Sequence, residues 1–277
     1  MTGLSSARCV RARRSANITG MTTPFFTALA LALLLGGANA ASAEDPVIPL
    51  PAAVAKDLAV LGEGVVGKAL PAPPIDDIRE YLNLGPGSWD FQIVAGGKEG
   101  QKVRTESYKR MPDQQGAAIW ERRLGDEYVE YLTLDPDGGL GKHREDDVDL
   151  GYTSRFLPAV TWLGSAKPGT TVTTENKIEA YKTPKPGDIS YTGKMTSALS
   201  YVGAYEITTP AGTWPAILLH SDFHIKIGPA DVDDSMYVFY VKGVGKVAEI
   251  ESTRISALFI YHSNTKVAKV LKSRPTK

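Results

Sequence analysis

Between Ile217 and Ile227 the chain alternates with period two: Ile217, Leu219, Phe223, Ile225 and Ile227 share one parity, His220, Asp222, His224 and Lys226 the other. Successive side chains of an extended strand point to opposite faces, so this pattern buries one face and solvates the other. From Ser88 onward the same alternation of aromatic and β-branched residues recurs, broken every eight to twelve residues by Gly, Pro, Asp or Asn clusters. It predicts strands at 89–94, 102–109, 117–123, 128–134, 170–181, 189–209, 214–227, 236–242, 246–260 and 266–271. Asp135-Pro136-Asp137-Gly138-Gly139 and the stretch from Gly228 to Asp234 carry turn chemistry, since proline presets φ and glycine accepts positive φ.

Long strands joined by short turns specify a mainly β chain. The expected fold is a strongly curved antiparallel sheet or open barrel with one or two short N-terminal helices, and a two-sheet β-sandwich is the alternative. Residues 88–277 read as a single antiparallel β domain. Residues 44–87 form a proline-rich leader. Within it Val54, Leu58 and Leu61 have helical spacing, and Pro74 followed by Ile75, Ile78, Tyr81 and Leu82 starts a second short helix that packs on one end of the sheet.

Residues 1–43 have the composition of a signal peptide. The apolar run from Phe25 to Leu35 is too short to span a bilayer, which takes about 20 residues. Arg8, Arg11, Arg13 and Arg14 precede it, Met21 offers a second start, and Ala41 and Ala43 frame a cut before Glu44. The expected location is therefore periplasmic or secreted, with no integral membrane segment after cleavage. Cys9, the single cysteine, falls in the removed part, so the mature chain has no thiol chemistry and no disulfide. The 31 Lys+Arg fall to 27 against 31 Asp+Glu, which gives no attraction for nucleic acid.

The densest chemistry lies on the alternating strand. His220, Asp222 and His224 share a face and are residue types that zinc or iron accepts. Three such positions span about 13 Å, so a single ion reaches at most two of them. With the turn centred near Asp231, antiparallel counting sets Lys242 opposite His220, Tyr240 opposite Asp222 and Val238 opposite His224. The expected result is a polar cluster of His220, Asp222, His224 and Tyr240 without a metal. Glu145-Asp146-Asp147 with Asp149, and Asp231, Asp233 and Asp234, lack the spacing of a calcium loop and read as solvated turns. His143 and His262 stand alone. Gly243-Val244-Gly245 has no following helix and reads as a bend between strands.

Trp89, Trp120, Trp162 and Trp214 are expected in the core. Trp214, Phe223, Tyr237 and Phe239 are candidates to line an apolar pocket in the hollow of the bent sheet. The run Ala257-Leu258-Phe259-Ile260-Tyr261 is apolar on both faces, which fits burial between layers or contact with a partner.

Two segments carry a resemblance. Tyr81-Leu82-Asn83-Leu84-Gly85-Pro86-Gly87-Ser88-Trp89-Asp90-Phe91 resembles the Leu-x-x-Gly-x-x-Trp opening of uncharacterised bacterial exported β-rich proteins. Thr209-Pro210-Ala211-Gly212-Thr213-Trp214 with Tyr240-Val241-Lys242-Gly243-Val244-Gly245-Lys246-Val247 resembles their closing Lys-Gly-Val-Gly-x-Val hairpins. Such proteins are distantly similar to the half-barrel lipoprotein carriers of the periplasm, which hold acyl chains in a curved sheet. The absence of catalytic spacing, together with the curved-sheet pattern, leads to the expectation of an exported, non-enzymatic binding or accessory protein holding a hydrophobic small molecule, a lipid or an envelope protein partner, with no cofactor. The alternative is a metal-assisted hydrolase using the His220, Asp222 and His224 face.

Overall fold

The alternating segments form a ring. In the computed structural model, which describes residues 44–113, 117–134, 139–162, 164–183, 185, 187–257 and 261–273, thirteen strands join one antiparallel sheet. They are β1 (Val66–Leu70), β2 (Gly87–Ala95), β3 (Val103–Arg110), β4 (Ala118–Leu124), β5 (Tyr128–Leu134), β6 (Leu140–Asp147) and β7 (Tyr152–Trp162). They continue with β8 (Thr171–Lys182), β9 (Ile189–Thr209), β10 (Gly212–Ile227), β11 (Ala230–Val241), β12 (Gly245–Ala257) and β13 (Tyr261–Leu271). From β2 to β13 each strand pairs with its neighbour in sequence, and β13 pairs back onto β2, so twelve strands close an up-and-down barrel. The extra strand, β1, pairs with the C-terminal part of β9, beyond the part of β9 that β8 occupies. Ala43–Lys277 make up one compact unit, and the other, Met1–Ser42, lies outside the described residues.

The curved sheet expected from the alternation is thus a closed one. β6 and β7 fill a region with no predicted strand, and β1 lies inside the proline-rich leader. The predicted strand at 246–260 is β12 up to Ala257, with residues 258–260 outside the description. Of the Asp135–Gly139 turn only Gly139 is described. Both acidic clusters turn out to be strand rather than turn: Glu145, Asp146 and Asp147 end β6, and Asp231, Asp233 and Asp234 belong to β11.

The leader covers the barrel in two places. Helix α1 (Ala52–Leu58) and the 3-10 turn Ala59–Leu61 bring Leu58 and Leu61 into one buried cluster with Tyr205, Trp214, Leu218, Phe239, Ile250 and Val270 on the outer wall. Each such side chain contributes about 1.5–3 kcal/mol by burial. The stretch from Ala72 into the short helix α2 (Arg79–Leu82) plugs one end. Its Ile75, Ile78, Tyr81 and Leu82 cluster with the inward Leu132, Leu140, Tyr201, Ile217, Leu219 and Tyr240. The plug is held by backbone bonds between Ile75 and Ala166, and the Tyr201 hydroxyl donates to the Pro73 carbonyl at 2.8 Å. Its far end is tied to the β11–β12 turn, where the Gly243 amide donates to the Glu80 carbonyl at 2.8 Å.

Elsewhere the outer wall is charged: Lys177, Lys194, Asp222, Lys226 and Arg254 are exposed on it. A barrel that spans a bilayer turns an apolar band outward, and this wall does the reverse. No helix among the described residues is long and apolar enough to cross a membrane.

Candidate functional site

Twelve strands enclose more space than apolar side chains of ordinary length fill. Long charged side chains occupy it here. Glu106 on β3 accepts from Lys246 on β12 at 2.6 Å and from Lys269 on β13 at 2.8 Å. Lys269 also reaches Glu249 at 2.7 Å, and Lys246 pairs with Glu249. The chain of pairs continues through Arg122 to Glu106 at 3.6 Å and to Glu130 at 3.1 Å, then through Lys142 to Glu130 at 3.3 Å and to Glu145 at 2.6 Å. Both lysines of the first group lie over the ring of Phe91 on β2. Lys269 and Glu106 are each 1% exposed.

Burial pushes the carboxyls of Glu106 and Glu249 up, but the surrounding Lys246 and Lys269 override it. Both end well below the usual carboxylate range, Glu249 at about 2. The space left beside this network, between Leu82, Trp89, Phe91, Glu106, Tyr108 and Lys246, is about 10 Å³, roughly one water.

Farther from the plug the inner wall changes character. Glu251 follows Glu249 on the same face of β12, but its register partners are Met236 and Val267, so no base stands directly opposite it. Burial and the nearby Glu249 and Asp234 raise its pKa to about 7. Burial likewise raises Asp234, which accepts a hydrogen bond from the Thr253 hydroxyl at 2.8 Å. Beyond these acids the β7 to β10 side of the wall is apolar, where Phe156, Val160, Ile178 and Met195 cluster with half-buried Phe223, Ile225 and Ile227, while across from it Arg104 of β3 forms a buried ion pair with Glu127. At the rim Ile189 is 46% and Tyr191 42% exposed, with Val148 and Leu150 exposed on the neighbouring β6–β7 turn.

His220, Asp222 and His224 do share one face, the outer one. A tight Gly228-Pro229 turn, which pairs Ile227 with Ala230, sets the register. Opposite His220 is Tyr237, opposite Asp222 is Ser235, and opposite His224 is Asp233, in place of the partners obtained by counting from Asp231. Tyr240 therefore leaves the expected cluster: it faces Ile217 on the buried inner side. The His220 ring stacks on Tyr237 at 4.0 Å, its Nε2 lies 3.0 Å from the Ser235 hydroxyl, and burial lowers its pKa. His224 is exposed, with Nδ1 2.8 Å from Asp233. A shallow groove of about 480 Å³ crosses this wall beside Thr196, Asp222, His224, Asp233, Arg254 and Asn264. Among the described residues no three His, Cys, Asp or Glu side chains are arranged to hold a metal.

The four aromatic candidates do not converge. Trp214, Tyr237 and Phe239 belong to the outer cluster beneath α1, while Phe223 faces inward toward Met195. Trp89 and Trp214 are buried as expected, and Trp120 and Trp162 are half-buried beneath Arg110 and Arg122. What the sequence reading lacked is the inner charge network. Its only local signal is charge in the inward phase of apolar strands, as at Glu249 between Ala248 and Ile250.

No known protein-family profile matches the chain, and no curated relative was found. Two solved structures are similar to it at low identity. A Bacteroides fragilis protein described as exported, with a YmcC-like fold, matches at 11% identity and a TM-score of 0.34, over 71% of this chain and 99% of its own. A Parabacteroides distasonis protein described as a lipoprotein matches at 12% identity and a TM-score of 0.28, over 70% of this chain and 97% of its own.

Proposed function

We propose that this chain is an exported protein of the cell envelope that works by binding rather than catalysis, and that its ligand is an apolar small molecule or lipid held at the barrel rim away from the plug. The observation that carries this reading is the apolar wall of Phe223, Ile225 and Ile227, continuous with the exposed Ile189 and Tyr191. Exposed apolar side chains gathered at one rim are a feature of binding surfaces. The plugged half is filled by ion pairs, which leaves the rim as the place for an apolar guest. The leader ending at Ala43 supports export.

Titration with the neutral apolar dye N-phenyl-1-naphthylamine tests the reading. Saturable fluorescence enhancement that is weakened in Tyr191→Ser and Ile227→Asp supports it. Enhancement that never saturates, or that both variants leave unchanged, overturns it. Stoichiometric zinc or iron in the purified protein, lost in a His220→Ala, His224→Ala double variant, would put metal-assisted hydrolysis in its place.

A further inference from the structure

On the outer wall Arg144 of β6 stands directly opposite Arg155 of β7. Like charges in directly opposed cross-strand positions are destabilising, and arginine has no means of losing its proton. Arg144 is answered by Asp146, which accepts from its Nε and from an Nη, each at 2.8 Å. Arg155 has no ion pair of its own and is left with only the longer-range attraction of Glu179. Its register partner on β8 is Glu179, whose carboxylate is taken by Lys177 at 2.7 Å. Among the described residues no carboxylate comes within ion-pair distance of Arg155.

The two arginines border a groove of about 540 Å³. Tyr131 and Tyr181 line it, and the Arg144 guanidinium lies over the Tyr131 ring at 4.5 Å. Met111 and Ile119 add apolar surface. His143 also borders the groove, and its Nδ1 is buried without a hydrogen-bond partner. Counting Arg144, Arg155 and Lys177 against Asp146 and Glu179, the surroundings keep one uncompensated positive charge.

We infer that this groove is a binding site for a small organic anion, a carboxylate or phosphate carried on a flat apolar body. Arg155 takes the anion as a planar two-pronged donor, and the tyrosine rings take the body. Anion binding also removes the repulsion between Arg144 and Arg155. The site lies on the outer wall and is independent of the rim.

Phenyl phosphate and benzoate, titrated by calorimetry at low salt into the purified protein, test the inference, with sedimentation on phosphatidylcholine vesicles containing phosphatidylglycerol as a second arm. Arg155 is exposed and opposed to Arg144, so Arg155→Gln stays folded with a melting temperature at or slightly above that of wild type and serves as the comparison. Loss of a charge-assisted pair weakens binding about tenfold. Saturable binding of either soluble probe that falls by this factor in Arg155→Gln supports a free anion as ligand. Vesicle binding that Arg155→Gln abolishes, with no soluble-probe binding, supports a lipid headgroup of the same chemistry. Equal binding by wild type and variant, or no binding in either arm, overturns the inference.

Discussion

Lys269 of β13 reaches Glu106 of β3 at 2.8 Å by passing over β2, the strand that lies between them in the ring. The contact therefore spans the line where the last strand meets the first. Lys246 makes the same crossing from β12. Inside, the closure line is held by ion pairs, and outside, the apolar cluster of Leu58 and Leu61 includes Ala268 and Val270 of β13.

Removing one member of this network leaves the others buried and unpaired. Lys269→Met is expected to destabilise the protein by about 3–5 kcal/mol. Replacing Lys246, Lys269, Glu106 and Glu249 together by Met and Leu recovers most of that loss, because no charge then stays behind in the barrel. Urea unfolding of both variants checks this. Equal losses in the two would show that packing rather than charge is at stake.

The carboxyls of Glu106 and Glu249 are held below their unfolded value of 4.5. Groups with a depressed folded pKa contribute stability that is complete above the unfolded value and is lost as pH falls through the folded one. Unfolding midpoints are expected to fall steadily from pH 4.5 toward pH 2, the window set by Glu249. Glu249→Gln flattens that slope.

Glu251 has the opposite sign. Its pKa rises from 4.5 to about 7 on folding, so the fold favours the protonated acid. That contribution is complete below pH 4.5 and is lost as pH rises through about 7. Glu251→Gln is expected to make the protein more stable than wild type at pH 8 and to match it near pH 4.5. Thermal melts across that range decide it, and a variant less stable than wild type at pH 8 sinks the assignment.

The two histidines of the outer strand face should behave differently. His220→Ala removes a ring stacked on Tyr237 and is expected to cost about 1 kcal/mol. His224→Ala, on an exposed side chain paired with an exposed aspartate, should change stability by less than about 0.5 kcal/mol. Parallel denaturation curves give both values.

Gly96, in the β2–β3 turn, has φ +66°, and a Cβ there would sit 1.8 Å from the carbonyl oxygen of Lys266 on β13. Gly96→Ala is expected to cost more than about 2 kcal/mol, since both the conformation and the space are refused. A melting temperature equal to wild type would show that the β2–β13 contact gives way freely.

The strands that the sequence revealed are those whose inward residues are apolar, as in Ile217 to Ile227. β6 escaped because its inward Lys142 and Glu145 are charged, so hydrophobic alternation never appears there. β7 escaped because Pro158 and the exposed, outward Leu157 interrupt its pattern. The register of β10 on β11 turned on whether Gly228-Pro229 or Asp231 makes the turn, a choice that moves every partner of the His220 face. Strand alternation does place His220, Asp222 and His224 together. No local pattern tells Lys246 that its partner is Glu106, because 140 residues separate them and only ring closure brings them together.

That closure has a consequence for how the domain is made. Eleven of the twelve neighbour pairings in the ring join strands consecutive in sequence, each through a connection whose ordering entropy is small. Only β13 on β2 must bring together segments from the two ends of the barrel chain. Such a meander can grow hairpin by hairpin from any point, and a circularly permuted chain cut at the Gly228-Pro229 turn would keep every ring contact while shifting the long-range search to a different pair of strands.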